Sequence, residues 1–215
     1  MEALTAGLTQ RHRGTERVFA AILAGGASRR FGTPKALASV GGRMIVERVR
    51  DALGVVAGET VVIANEAGIF DGLEMEQRAD AVAGVGPLGG IVTALRWAME
   101  RGHGGALCVA CDMPFVSAAL LRRIAERAGD GIVVPESGGR RGVEPLCAWY
   151  PASCLPAAQR MIAEGSRALH ELLDIVPTQR IPLAEVELCG DPEVLFLNVN
   201  TPADHERAER IAAEA

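Results

Sequence analysis

Apolar residues follow two alternating patterns along this chain. Some form short unbroken runs, which are typical of buried strands, and others recur at every third or fourth position, which is typical of one face of a helix. Up to about residue 135 the two patterns take turns, as in parallel sheets whose strands are joined by helices. The predicted strands cover residues 18–23, 60–64, 106–110 and 132–134, and the predicted helices begin near Met44, contain the apolar stripe at 91–98, and follow the capping residue Ser117.

The pattern is looser after residue 135. It predicts a short strand at 145–150, a helix at 157–164 and a last strand at 194–199. A final helix is expected after Thr201, because threonine is a good N-cap and Pro202 and Asp204 suit a first turn. We therefore predict a three-layer α/β/α fold, doubly wound around a mostly parallel sheet and Rossmann-like in architecture.

The length and composition fit one globular domain. A chain of 215 residues with 49% hydrophobic content can bury a core without disulfides or structural metals. We place this single domain at residues 18–215. Residues 1–17 are polar and precede the first strong strand, so we expect a disordered leader there.

Charge and cysteine content narrow the class of protein. A net charge of -5 disfavours non-specific nucleic-acid binding, although residues 11–50 carry nine Lys or Arg against two acidic residues, which suits a small polyanion. No apolar run approaches the ~20 residues that would span a bilayer. Five cysteines are an odd number, so we expect free thiols and a cytoplasmic protein. Cys108 and Cys111 are spaced as a C-x-x-C pair, but we expect them to be structural rather than redox-active or metal-binding. We expect the protein to bind neither membrane nor nucleic acid.

Doubly wound sheets bind ligands at the carboxyl ends of their strands, near the point where the strand order reverses. The loops expected to form such a site begin at Leu23, Ala64, Ala110 and Val199. Three of them carry conspicuous polar side chains, which are Lys35, Asp112 and the pair Asn198 and Asn200.

The loop after the first predicted strand, residues 23–35, is rich in glycine and in cations. Glycines present backbone amides with no Cβ in the way, and Ser28, Arg29 and Arg30 add donors of the kind that a phosphate chain needs. Lys35 is the only lysine of the chain, and its compact charge suits a single phosphate oxygen. The spacing matches neither a Walker A loop nor a Rossmann fingerprint, and the alternatives are a structural turn and a solvated lysine.

Four segments resemble a known family. Leu-Ala-Gly-Gly-x-Ser-x-Arg-Phe-Gly-x-x-Lys, which begins at Leu23, resembles the opening motif of the nucleotidyltransferases that activate sugars, terpenoid precursors and molybdopterin. Residues 86–90 (Gly-Pro-Leu-Gly-Gly), 111–114 (Cys-Asp-Met-Pro) and 198–202 (Asn-Val-Asn-Thr-Pro) resemble segments of the molybdenum cofactor guanylyltransferases. The resemblance extends from about residue 18 to the end, with Phe31 and Gly89 as mild departures.

The cytidylyltransferases that act on the same pterin are the nearest alternative within this superfamily. They tend to have Ala-Ala-Gly in the first loop, Gly-Asp-Met-Pro in the middle and Asp-x-Asp-Thr-Pro near the end. This chain instead has Gly25 and Gly26, Cys111, and two asparagines. All three differences favour guanine.

The resemblance implies roles for individual residues. The backbone of the first loop would hold the nucleotide, Lys35 would contact its phosphates, and Asn65 and Asp80 would bind the guanosine part. The positions implied in binding are Leu23, Ala24, Gly25, Gly26, Ser28, Arg30, Lys35, Asn65, Asp80, Gly86, Gly90, Asn198 and Asn200.

Two further assignments concern the metal and the acceptor. Asp112 would bind Mg²⁺, since a carboxylate at a strand end followed by Pro114 suits a hard ion held by few protein ligands. Arg167, which follows a Gly-Ser pair, would contact a phosphate of the pterin. The alternatives are that Asp112 and the two asparagines form turns and that Arg167 is solvated.

The implied reaction is transfer of GMP from GTP to molybdenum-bearing molybdopterin, with Lys35 and Asp112 as catalytic residues. Residues 18–135 would bind the nucleotide and residues 136–215 the acceptor, and the product would pass to apo-molybdoenzymes or their insertion chaperones. Two alternatives remain at this point. One is a related transferase that uses CTP or another phosphate acceptor, and the other is a non-catalytic carrier of nucleotide or cofactor.

Overall fold

The computed structural model describes residues 18–25, 37–73, 75–82, 84–139 and 141–214. The strands in this part of the chain are β1 (Val18–Leu23), β2 (Ser39–Val40), β3 (Arg43–Met44), β4 (Ala57–Ile63), β5 (Gln77–Arg78), β6 (Gly105–Ala110), β7 (Ile132–Pro135), β8 (Cys147–Pro151) and β9 (Thr178–Ile181). The helices are α1 (Ile45–Gly54), α2 (Pro87–Glu100), α3 (Ala118–Glu126), α4 (Leu155–Ala163), α5 (Leu169–Ile175), α6 (Leu183–Glu187), α7 (Pro192–Leu195) and α8 (Pro202–Glu214).

Seven strands form one central sheet in the order β5-β4-β1-β6-β8-β7-β9. The neighbouring pairs are parallel except where β8 lies antiparallel between β6 and β7. From β1 the chain moves to β4 and β5 on one side and then returns to β6 on the other. The strand order therefore reverses between β1 and β6, which places a topological switch point at the carboxyl ends of these two strands.

Side chains of β1 alternate between two separate cores. Ala20 and Ile22 pack into the apolar cluster that contains α1 and α3, whereas Phe19 and Ala21 pack into the cluster that contains α2 and α4. All four side chains are fully buried. Because both faces of the sheet are covered by helices, the predicted three-layer, mostly parallel architecture is confirmed.

Most predicted elements of the first half are present with nearly the expected bounds. The strand at 18–23 is β1, and the helix after Ser117 is α3, whose Leu120 amide donates to the Ser117 hydroxyl. The strand predicted at 145–150 is β8. Three elements of the second half, α5, β9 and α6, did not emerge from the apolar pattern because each is short.

The last predicted strand, at residues 194–199, is wrong. Residues 192–195 form α7 instead, with Asp191 accepting a hydrogen bond from the Glu193 amide and Pro192 at the first helical position. The following segment is irregular, and the Val199 amide bonds to the main-chain carbonyl of Asp112. An apolar run of this length fits a strand or a buried turn of helix equally well, and the capping residues decided between them.

All five cysteines are free thiols, as expected. Cys108 is fully buried in β6, and burial, with a smaller contribution from Cys154, raises the pKa of its thiol far above the usual value. A thiol held in this protonated form is a poor nucleophile and metal ligand. No helix in the described part of the chain is both long enough and apolar enough to cross a membrane.

Candidate active site

A cavity of about 310 Å³ lies at the switch point of the sheet. Its walls come from the carboxyl ends of β1, β4 and β6, from the start of α2 and from the segments before β8 and α8. Eight residues proposed from the sequence line it together, namely Leu23, Ala24, Gly25, Asp80, Gly86, Gly90, Asp112 and Asn200.

Main-chain hydrogen bonds join the strand ends around this cavity. The Ala24 amide donates to the Ile63 carbonyl at 2.9 Å, and the Cys111 amide donates to the Leu23 carbonyl at 3.1 Å. The Val199 amide reaches the Asp112 carbonyl at 2.9 Å. These bonds continue the sheet into the loops, so residues far apart in sequence meet at one preorganised edge.

The amino end of α2 opens into the cavity at Gly86. Gly86 has φ 70° and ψ -151°, a backbone conformation essentially restricted to glycine, and Pro87 follows at the first helical position. Both residues line the cavity. The start of a 14-residue helix thus borders this space, and such a helix start favours anionic groups such as phosphates.

Gly90 explains how α2 approaches β1 so closely. A Cβ at this position would lie 3.3 Å from the Leu23 side chain, tighter than ordinary contact. Gly90 and Leu23 are both buried and both line the cavity. The helix start therefore lies directly beside the end of the central strand.

Asp80 is held at the cavity by Asn65. Asn65 follows β4, and its side-chain oxygen accepts a 2.8 Å hydrogen bond from the Asp80 amide. Asn65 itself lines an adjacent, more open cavity of about 340 Å³ together with Asp71 and Gln77. The structure thus brings the two residues implied in guanosine binding together, with Asp80 on the wall of the main cavity.

Asp112 lies half-buried after the end of β6, with Glu144 nearby. Burial raises the pKa of the Glu144 carboxyl, a hydrogen bond from the Leu146 amide opposes the shift, and the negative charge of Asp112 adds to it. The Asp112 carboxyl, which lines the cavity, and the nearby Glu144 carboxyl make an acidic patch beside features that favour anions. The patch fits a cation between protein and ligand.

The donor set is compatible with a magnesium ion. Asp112 and Asn200 both line the cavity and both offer oxygen atoms, the ligands that Mg²⁺ prefers. Within the described residues, no group of three or more His, Cys, Asp or Glu side chains could form an all-protein metal cage. A site with few protein ligands suits Mg²⁺, which keeps waters and substrate phosphates in its shell.

Several predicted residues are not among the described residues that line the cavity. Gly26, Ser28, Arg30 and Lys35 lie outside the described residues. The side-chain amide of Asn198 donates to the Phe196 carbonyl at 3.0 Å, and Asn198 does not line the cavity in the described part of the chain. Arg167 is exposed between α4 and α5 and does not line it either.

The two asparagines do not share a strand face, since no strand forms there. Asn198 bonds within its own segment, whereas Asn200 lines the cavity just before α8. The Asn200 amide also donates to the Asp204 carboxylate at 3.0 Å. The turn before α8, rather than an extended strand, therefore directs Asn200 to the site.

No binding role was predicted from the sequence for five of the lining residues and for one neighbour. The lining residues are Ile63, Pro87, Ala110, Cys111 and Leu146, and the neighbour is Glu144. The first four adjoin positions that were identified, so a wider reading of the strand ends would have found them. Glu144 and Leu146 come before an antiparallel strand, and only the sheet order places them beside β6.

Comparison with known proteins agrees with this geometry. Residues 20–180 match the family model described as the MobA-like NTP transferase domain. A protein of Pelotomaculum thermopropionicum named "Probable molybdenum cofactor guanylyltransferase" is 38% identical over 200 residues, 90% of this chain and 92% of that protein. The molybdenum cofactor guanylyltransferase of Desulfosudis oleivorans is 34% identical over 191 residues, 87% of this chain and 92% of that protein.

Solved structures show the same architecture. The molybdopterin-guanine dinucleotide biosynthesis protein A of Archaeoglobus fulgidus superposes with a TM-score of 0.75 at 29% identity, covering 92% of this chain and all of that chain. The 2-C-methyl-D-erythritol 4-phosphate cytidylyltransferase of Thermus thermophilus shares the fold, with a TM-score of 0.64 at 20% identity over 91% of this chain and 99% of that chain. The curated relatives from Pelotomaculum thermopropionicum and Desulfosudis oleivorans are both named as molybdenum cofactor guanylyltransferases. Because the family model matches residues 20–180, the chain belongs to the MobA-like NTP transferase family.

Proposed function

We propose that this nucleotidyltransferase transfers GMP from GTP to molybdenum-bearing molybdopterin, forming the guanine dinucleotide cofactor and pyrophosphate. One observation supports this most strongly. A carboxylate at a strand end, Asp112, shares a single cavity with the amino end of α2 and with the backbone of residues 23–25. The relatives named molybdenum cofactor guanylyltransferase supply the substrate pair.

The nucleotide would occupy the part of the cavity between β1 and α2. Leu23, Ala24 and Gly25 offer main-chain groups, and the helix start at Gly86 favours the negative charge of a triphosphate. Asp80 offers a carboxylate to hydrogen-bond donors of the nucleoside. Lys35 lies outside the described residues, and we propose from the sequence motif that its ammonium contacts the phosphates.

We propose Asp112 as the magnesium ligand, with Asn200 as a second oxygen donor on the same wall. When bound, Mg²⁺ neutralises negative charge on the α-phosphoryl group and on the departing pyrophosphate. In this proposal Asp112 holds the magnesium ion, and with it the neutralising positive charge, at the switch point of the sheet. Hydrogen bonding of its main-chain carbonyl to the Val199 amide holds its segment in place.

The transfer itself requires positioning rather than a protein nucleophile. An oxygen of the acceptor phosphate forms a bond to the α-phosphorus of GTP, and the bond from that phosphorus to the bridging oxygen of the β-phosphate breaks. Pyrophosphate leaves with the electron pair. Because a phosphate oxygen is already anionic at neutral pH, no general base is needed, and the protein contributes alignment and electrostatics.

The acceptor would enter from the side formed by the second half of the chain. Leu146 and Asn200 line the cavity from that side, which supports a division into a nucleotide part at 18–135 and an acceptor part at 136–215. We propose that Arg167 belongs to the outer acceptor surface. We also place the enzyme in the cytoplasm, with apo-molybdoenzymes or their insertion chaperones as recipients of the product.

Pyrophosphate release tests the proposal directly. The assay uses GTP and CTP separately, with and without molybdenum-loaded molybdopterin, in the presence of magnesium, for the native protein and Asp112→Asn. Asp174→Asn, an exposed aspartate of α5, is the matched control. We expect release only with GTP and the pterin together, and its loss only in Asp112→Asn.

Other outcomes would replace the proposal. Release with CTP would make the protein a cytidylyltransferase. Binding of GTP without release, unchanged in Asp112→Asn, would make it a carrier of nucleotide or cofactor.

A further inference from the structure

The Asp80 carboxylate is fastened to the second turn of α2 by a buried hydroxyl. Thr93 is buried, with 5% exposure. Its hydroxyl accepts a 2.9 Å hydrogen bond from the Ala81 amide. The same oxygen lies 3.2 Å from Asp80 Oδ1 and 3.0 Å from the Gly89 carbonyl, so its single proton has two acceptors within reach.

A second donor completes the hold on Asp80. The Val82 amide donates to Asp80 Oδ1 at 3.0 Å, while the Asp80 amide is bound by Asn65. The backbone on both sides of Asp80 and one carboxylate oxygen are therefore fixed. A carboxylate with so little freedom presents its acceptors to a ligand without first losing side-chain entropy.

Gly89 provides the space that this arrangement needs. A Cβ at position 89 would lie 2.7 Å from Asp80 Oδ2, 2.8 Å from Oδ1 and 2.6 Å from the Val85 side chain. Contacts this short do not occur, so a side chain at position 89 would force the Asp80 carboxylate, the Val85 side chain or both to shift. Gly89 is an interior helix residue, where glycine is normally unfavourable, and close approach accounts for its presence.

We propose that Thr93 and Gly89 are positioning residues that set Asp80 for recognition of the nucleoside. Thr93 anchors the carboxylate, and Gly89 leaves room for it. The ligand groups recognised are hydrogen-bond donors, either ribose hydroxyls or N–H groups of the base. This inference rests on the proposed function for the identity of the nucleotide but not for the arrangement itself.

Nucleotide binding measured by calorimetry tests the inference without requiring turnover. We expect Thr93→Val to weaken GTP binding about tenfold, because a hydroxyl and its bonds are lost. Thr93→Ser keeps the hydroxyl and should restore most of the affinity. Thr178→Val is the matched control, since the Thr178 hydroxyl bonds only to carbonyls of its own segment, and its affinity should equal that of the native protein.

Gly89→Ala adds a test of mechanism. It should weaken GTP binding at least as much as Thr93→Val in the native background. In an Asp80→Ala background the carboxylate no longer occupies the space and only the contact with Val85 remains, so Gly89→Ala should cause a clearly smaller further loss. Additive losses in the two backgrounds would contradict the proposed contact between Gly89 and Asp80.

Analogues identify the recognised donors. If Asp80 binds the base, Thr93→Val should lose discrimination between GTP and inosine triphosphate, which lacks the exocyclic amine. If it binds the ribose, the lost discrimination should be against 2′-deoxy-GTP or 3′-deoxy-GTP. A Thr93→Val protein with native affinity and native discrimination would overturn the inference.

The two proposals fail in different ways. Native GTP affinity in Thr93→Val, with intact pyrophosphate release, would contradict the inference and leave the function standing. Binding of a different nucleotide that is weakened by Thr93→Val would support the inference and contradict the guanylyl assignment. A native protein that binds no nucleoside triphosphate would contradict both.

Discussion

The side-chain oxygen of Asn65 accepts a 2.8 Å hydrogen bond from the main-chain amide of Asp80. Asn65 stands at the end of β4, and Asp80 lies in the loop between β5 and α2, 15 residues later. This bond links the central sheet to the loop that carries a cavity-lining carboxylate. Asn65 therefore positions Asp80, in addition to being a candidate residue for binding the guanosine part of the nucleotide.

Asn65→Ala should weaken GTP binding about tenfold, because it removes the acceptor for the Asp80 amide. Calorimetric titration gives the affinity, and urea unfolding of the same variant shows whether the fold is intact. A variant with native stability and native affinity would show that the bond has no part in recognition.

Gly105→Ala should destabilise the protein by about 3 kcal/mol. A Cβ at the start of β6 would overlap the Tyr150 carbonyl oxygen and lie 2.6 Å from the Trp149 ring, both on the adjacent strand β8. The neighbouring Gly104→Ala is the matched control, since a Cβ there meets nothing within 4 Å. Urea unfolding should show the loss for Gly105 alone, and equal effects for the two variants would contradict the packing described.

Ser117→Ala should cost about 1 kcal/mol of unfolding free energy. Its hydroxyl caps α3 through the Leu120 amide and also donates to the Cys189 carbonyl at 3.0 Å. Ser153→Ala removes a longer, exposed hydrogen bond of 3.3 Å and should change stability by less than about 0.5 kcal/mol. Chemical denaturation of both variants gives the comparison, and a larger loss for Ser153 would be inconsistent with the capping role.

Glu185 should make stability depend on pH. A hydrogen bond from Arg123 holds the pKa of Glu185 below its ordinary value, and Arg127 adds to the shift. Because the folded-state pKa is the lower one, the stabilisation is fully present above the unfolded pKa of about 4.3 and is lost as pH falls through the folded value.

The substitution Glu185→Gln should therefore lower stability at pH 7, and the difference from the native protein should shrink as the pH falls below 4. The exposed Glu187, on the same helix, supplies the control Glu187→Gln. Unfolding curves collected from pH 3 to pH 8 give the comparison. A difference for Glu185→Gln that stays constant with pH would contradict the ion-pair explanation.

The first half of the fold was predictable because its elements are long and regular. The six apolar residues of β1 and the helical stripe of α2 have unambiguous periods. The strand predicted at 194–199 is wrong because a short apolar run has no period of its own, and here Asp191 and Pro192 start a helix instead. Local signals at helix ends would have corrected that prediction.

The candidate site was partly predictable for a similar reason. Residues that end parallel strands, such as Leu23 and Asp112, can be placed together by the rule for doubly wound sheets. Glu144 and Leu146 could not be placed at the site in this way, because they precede β8. The antiparallel position of β8 between β6 and β7 is set by tertiary packing, which the sequence pattern does not show. Thr93 was hidden as well, since a buried threonine on an apolar helix face has no sequence pattern that distinguishes it from packing.

The fate of individual phosphates distinguishes nucleotidyl transfer from every other use of GTP by this protein. GTP labelled with radioactive phosphorus at either the α or the γ position is incubated with magnesium, molybdenum-loaded molybdopterin and the native protein. We expect the α label in the pterin product and the γ label in pyrophosphate, and we expect Asp112→Asn to abolish both. Recovery of the γ label in the pterin, or of the α label only in GTP and GDP, would contradict nucleotidyl transfer.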